Sequence, residues 1–107
     1  MSLTVSQCKY LKGLGHGLKP LVLVGSGGLS KSVVAEVDST LDHHELIKIR
    51  VRSGDRKERD ALIQDLVGRS SAQLVQRIGN VALLYRATEK PTIVLPGQTL
   101  ADVGRDS

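Results

Sequence analysis

A chain of 107 residues, 40% hydrophobic and 24% charged, can bury one modest core and is too apolar to be a disordered segment. Fifteen Lys and Arg against eleven Asp and Glu give a net charge of +4, which suits a polyanionic partner without demanding one. The single cysteine, Cys8, rules out an internal disulfide and a cysteine-based metal site, and no apolar run is long enough to span a membrane, so the expectation is a cytoplasmic domain away from membranes.

Thr4 followed by Gln7 is a capping-box pattern, with Leu3 as a hydrophobic staple. The helix it opens would carry Cys8, Leu11 and Leu14 on its inner face and Lys9 and Lys12 elsewhere on its surface. Gly13, Gly15 and Gly17 end it, and the segment from Gly15 to Pro20 reads as a loop. Leu21 to Val24 is a short apolar run between Pro20 and glycines, the pattern of a buried strand. It leads into Gly25, Ser26, Gly27 and Gly28, and Ser30 then caps a second helix with the stripe Val33, Val34, Val37 and Leu41. A glycine turn at a helix N-terminus places unpaired N–H groups and the positive end of the helix dipole where an anion can approach.

His43, His44 and Glu45 mark the exit of that helix. From Leu46 to Arg52 the chain alternates strictly, so Ile47, Ile49 and Val51 face one way and Lys48, Arg50 and Arg52 the other. Three bases in succession exceed what solubility requires, although a solvated face neutralised by neighbouring acids would look the same. Ser53 and Gly54 turn the chain, and Asp55 with Glu58 caps a third helix bearing Leu62, Ile63, Leu66 and Val67. Ala72 to Ile78 and Val81 to Arg86 read as strands joined by Gly79 and Asn80, with Arg77 and Arg86 as further bases for the sheet. Thr92 to Leu95 is a candidate for one more short edge strand. Residues 1–96 form the expected domain, and 97–107 read as a flexible tail. The order α-β-α-β-α-β-β implies an α/β (α+β) two-layer sandwich with a mixed four-stranded sheet.

The segment Gly25 to Ser32 is a near-miss to a P-loop. Ser30 replaces its second glycine, no later strand ends in an Asp for magnesium, and the chain is short for such an enzyme. A dinucleotide fingerprint lacks its third glycine. The G-x-x-G of Gly25 to Gly28 fits better a loop that lets a sugar-phosphate backbone approach closely, although many such sequences are merely turns. His43, His44 and Glu45 do not make a metal site, because adjacent histidines diverge and the only other histidine is His16. Cys8 reads as a core residue, and no catalytic constellation can be assembled.

The residues LKGLGHGLKPLVLVGSGGLS at 11–30 and HELIKIRV at 44–51 closely resemble the CRM domain, the chloroplast RNA splicing and ribosome maturation family, in its single-domain bacterial YhbY-like form. The likeness runs from about Leu3 to about Leu95. It implies an RNA-binding domain without catalytic activity, related in fold to the C-terminal domain of translation initiation factor 3 and associated with large-subunit ribosomal precursors. It also implies that Gly25, Ser26, Gly27 and Gly28 form the RNA-contacting loop. Because Ser26 and Gly27 carry no charge, attraction would come from Lys19, Lys31 and the bases Lys48, Arg50 and Arg52, extended by Lys9 and Lys12 if the first helix packs beside the loop.

With no Phe or Trp and only Tyr10 and Tyr85, stacking of successive bases on an aromatic sheet is disfavoured, which points to structured RNA recognised by shape and phosphate. The expectation is a monomer that binds large-subunit rRNA or pre-ribosomal particles, with no cofactor and no metal. The alternatives are a protein-binding adaptor and a phosphate-handling enzyme.

Overall fold

The computed structural model describes residues 3–25, 28–52, 54–89 and 91–97. The elements in chain order are α1 (Val5–Gly15), β1 (Pro20–Val24), α2 (Lys31–His44), β2 (Leu46–Val51), α3 (Arg56–Ser70), β3 (Gln73–Ile78) and β4 (Val81–Tyr85). Each helix starts where a short polar side chain can satisfy its first orphan amides. Thr4 and Gln7 form the reciprocal capping box, Ser30 Oγ accepts from the Val33 N–H at 3.2 Å, and Asp55 Oδ1 accepts from the Glu58 N–H at 2.9 Å.

The sheet runs in the order β1-β2-β4-β3. β1 and β2 are parallel, connected through α2, and the two other pairings are antiparallel. On one face Val22, Val24, Ile47, Ile49, Val51, Ala82 and Leu84 pack with Val37 and Leu41 of α2 and Ile63 and Leu66 of α3. This is the larger core and the two-layer body of the fold. On the opposite face α1 and the segment 91–97 cover one end only, through Leu11 and Leu95 against Leu46, Val75, Leu83 and Tyr85.

Several local expectations change in this setting. β1 is an edge strand rather than a buried one: Val22 and Val24 enter the core, while Leu21 and Leu23 stay about half exposed, at 51% and 50%. An apolar run cannot reveal that only one of its faces will find a covering layer. Leu14 is 42% exposed and Cys8 is only half-buried, because α1 meets the sheet through Leu11 and Gly15 and the strap through Gln7. Thr92 to Leu95 forms no strand. Side chains hold it instead: Glu45 Oε1 accepts from the Thr92 N–H and hydroxyl, Gln7 Nε2 donates to the Pro96 carbonyl at 3.2 Å, and Leu95 is buried. Glu45 does mark the exit of α2, as its C-cap, but its side chain turns inward instead of into solvent. The residue sits at φ 61° and is only 2% exposed, its carboxylate fastening this strap to the start of β2. Residues 98–107, the bulk of the expected tail, lie outside the described residues.

Candidate nucleic-acid interface

β1 ends at Val24 and releases the chain into an exposed Gly25. The Gly28 N–H donates back to the Gly25 carbonyl at 3.1 Å, and Gly28 adopts φ +71°, a region glycine reaches without a Cβ penalty. Ser26 and Gly27, between them, lie outside the described residues. After the Ser30 cap the first turn of α2 contains no acidic residue, and it begins with the exposed Lys31. A cation there opposes the helix dipole and costs the helix a few tenths of a kcal/mol to about 1 kcal/mol, a cost that a bound anion would remove.

β2 delivers the basic row to the same end of the sheet. The Arg52 N–H donates to the Val24 carbonyl at 2.9 Å, which fixes Arg52 beside Gly25. Arg52 lies one residue past the strand and is exposed, whereas Lys48 and Arg50 are half-buried on the face away from α2 and α3. Arg50 lies opposite Leu23 of β1, and Lys48 opposite Pro20, next to the exposed Lys19. The structure thus places Gly25, Gly28 and Arg52 at one end of the β1-β2 pair, with Arg50, Lys48 and Lys19 continuing the row along these strands and Lys31 opening α2 on the opposite face of the sheet.

Lys9 and Lys12 are not part of this cluster. They are exposed on α1, which packs at the Leu46 and Tyr85 end of the sheet, and β2 carries about 17 Å of chain from Leu46 to Val51, where the glycine loop begins. Arg77 and Arg86 are also removed from the basic face. Arg77 Nε lies 2.8 Å from Asp60 Oδ1, without the alignment of a true hydrogen bond. Arg86 donates to Asp38 Oδ1, Asp42 Oδ1 and the Ser70 carbonyl at 2.7–2.8 Å, clamping α2 and α3 to the end of β4.

Charge segregation sharpens the contrast between faces. Neither α1 nor any strand contains an Asp or Glu. Among the described residues the ion-paired cations are Arg69, Arg77 and Arg86, so Lys19, Lys31, Lys48, Arg50 and Arg52 have no carboxylate partner. Among the described residues, neighbouring acids do not neutralise the alternating strand, the plain alternative for it.

Two hollows flank the β2 cations. One is bounded by Lys19, Pro20, Leu21, Val22, Leu23 and Arg50. The other, of about 230 Å³, is bounded by His16, Lys48, Gln76, Ile78, Val81 and Leu83. Reading the sequence missed His16, Gln76 and Ile78, because nothing local links a residue after α1 to the β3-β4 hairpin. His43 and His44 are exposed at the end of α2, with His43 Nδ1 against the Ser39 carbonyl at 2.8 Å, while Glu45 turns inward. Among the described residues no three such side chains converge to hold a metal, and no helix is long and apolar enough to cross a membrane.

Comparison with known proteins gives a consistent result. An RNA-binding protein of Haemophilus influenzae is 42% identical over 95 residues, covering 89% of this chain and 96% of that protein. A protein of Pseudomonas aeruginosa named "probable RNA-binding protein" is 44% identical over 91 residues, covering 85% of this chain and 88% of the relative. The solution structure of a Staphylococcus aureus hypothetical protein, described as a candidate RNA binder, superposes with a TM-score of 0.77 at 33% identity, covering 89% of this chain and 100% of that one. The sequence model of the CRS1/YhbY (CRM) domain matches residues 3–86. With that match spanning the whole sheet and all three helices, this chain belongs to the CRS1/YhbY (CRM) domain family.

Proposed function

We propose that this protein is a monomeric, cytoplasmic RNA-binding factor that acts in assembly of the large ribosomal subunit, holding structured rRNA or a pre-ribosomal particle without catalysing a reaction. The glycine loop and the first turn of α2 receive one phosphate, and Arg52, Arg50, Lys48 and Lys19 follow the backbone away from it. The observation that carries this reading is the row of cations without carboxylate partners that runs into an exposed glycine turn at a helix N-terminus. The naming of relatives as RNA-binding proteins supports the ligand class.

Sedimentation of the tagged protein from a lysate through a sucrose gradient, with and without ribonuclease, tests it. Co-migration with large-subunit or lighter precursor particles, abolished by ribonuclease, is the expected result. Protein that remains at the top of the gradient at low salt would overturn stable ribosomal association. The exposed Leu21 and Leu23 beside Arg50 favour a protein-binding adaptor as the second reading, and that adaptor would bind RNA only as any basic protein does, losing it at moderate salt.

A further inference from the structure

The hollow between the end of α1 and the β3-β4 hairpin is left unused by the phosphate contacts. Its floor is aliphatic: Leu83 and Val81 of β4 beside Ile78 of β3. Cross-strand register puts its members on one face, since Lys48 and Gln76 both lie opposite Leu83, and Ile78 lies opposite Val81. One wall exists because Gly15 has no side chain. A Cβ there would stand 2.6 Å from Leu83 Cδ2, so the end of α1 rests directly on Leu83 and brings the next residue, His16, to the rim. Ile78 is 67% exposed, a large apolar group left in water at the mouth.

The polar groups around that floor are uncommitted. Among the described residues, the side chains of His16, Lys48 and Gln76 make no hydrogen bond or ion pair, whereas Arg77 and Arg86 on the other face are paired. A primary amide offers a donor and an acceptor side by side, an imidazole offers a flat ring, and an ammonium offers a charge. A hollow of about 230 Å³ suits one planar heterocycle better than a run of peptide. RNA proteins that read sequence do so on unpaired bases, stacked on rings that include histidine and hydrogen-bonded along their edges.

We propose that this hollow receives one unpaired nucleobase, splayed from the structured RNA whose backbone Lys48 and Arg50 hold. The base lies on Ile78 and Val81 against His16, above the covered Leu83, its edge meets the Gln76 amide, and Lys48 contacts the adjoining phosphate. This rests on the RNA-binding reading above and adds what that reading lacks, a site able to prefer one base over another. An acidic peptide would answer to Lys48 and could also pair its main chain with the Gln76 amide, so it is the size of the hollow that favours a base over a peptide.

The test uses two RNA hairpins with the same duplex stem and the same four-nucleotide 3′ extension, one carrying bases in the extension and the other abasic sites, so that the phosphate charge is equal. Binding of the full chain is followed by fluorescence anisotropy. The base-bearing hairpin is expected to bind about tenfold more tightly, and Gln76→Ala and His16→Ala, each folded by thermal melt, are expected to remove most of that ratio while binding the abasic hairpin as the unaltered protein does. Equal affinity of the unaltered protein for both hairpins, or variants that keep the full ratio, would overturn the base site and leave RNA binding standing. Binding to neither hairpin would overturn both readings, and capture of a labelled Glu- and Leu-rich peptide in that case would assign the hollow to a protein partner.

Discussion

Lys48 and Arg50 carry their charges on stems half-buried beside leucine and valine, so truncating them removes packing as well as charge. Phosphate contact is therefore read best from salt dependence. For Lys48→Ala, Arg50→Ala and Arg52→Ala, the slope of log affinity against log salt on a hairpin RNA is expected to flatten by roughly 0.7–0.9 each, with no change in which RNA is preferred. Unchanged slopes in all three would remove the basic row from the interface. Gly25 gives a complementary test, because a Cβ there meets nothing within 4 Å and its backbone is not in the left-handed region. Gly25→Asp should leave the thermal midpoint unchanged, since an acid near a helix N-terminus favours the helix, yet lower RNA affinity at least about tenfold by repelling phosphate. Retained affinity would reduce the loop to a turn. The alternating bases of β2 were legible from sequence, but the fates of Arg77 and Arg86 were not. Asp38 lies 48 residues from the arginine it holds, and no local pattern records that distance.

Helix starts were the most legible elements because a cap is local chemistry: Thr4, Ser30 and Asp55 sit three residues from the amides they accept. Strand environment was less legible. Leu21 to Val24 has the composition of a central strand, yet its edge position is set by which strands pair beyond it, and its half-exposure by where α1 comes to rest. That resting place depends on Gly15 against Leu83. Gly15→Ala is expected to destabilise the protein by about 1 kcal/mol, the low end of overpacking costs, because the atoms it meets are the methyl ends of Leu83 beside a hollow. In urea denaturation the double variant Gly15→Ala with Leu83→Ala should cost less than the sum of the single changes, as room made at Leu83 accepts the new methyl group. Additive costs would show that the contact is not what seats the helix.

At the scale of the molecule, the acids are segregated: the ion-paired carboxylates Asp38, Asp42, Asp60 and Asp65 all belong to α2 and α3, where Arg56 and Lys57 also carry charge, whereas the strands that hold Lys48 and Arg50 contain no acid. This division predicts an oriented approach to a polyanion, and it was visible in sequence only as a modest net charge, because composition carries no direction. Among the described residues, stability against pH has one resolved source, Tyr85. Tyr85 is buried in the smaller core, and burial, followed by the nearby Glu45 carboxylate, raises its pKa above the ordinary tyrosine value. The folded state therefore holds the phenol proton more tightly than the unfolded chain. Stability from this group is complete below about pH 10 and declines as pH rises from there through the folded pKa. Comparing urea midpoints between pH 8 and 11, Tyr85→Phe is expected to decline less steeply than the unaltered protein. Identical profiles would dismiss Tyr85 as the cause.

The Glu45 latch has a mechanical consequence. Pulling the chain apart between Leu3 and Gly97 loads the Gln7–Pro96 and Glu45–Thr92 hydrogen bonds before the ladders of the sheet. The strap peels away contact by contact, and Tyr85 and Leu46 lose their cover while β1 and β2 still hold the glycine loop and Arg52 in place. Tension would thus open the smaller core first.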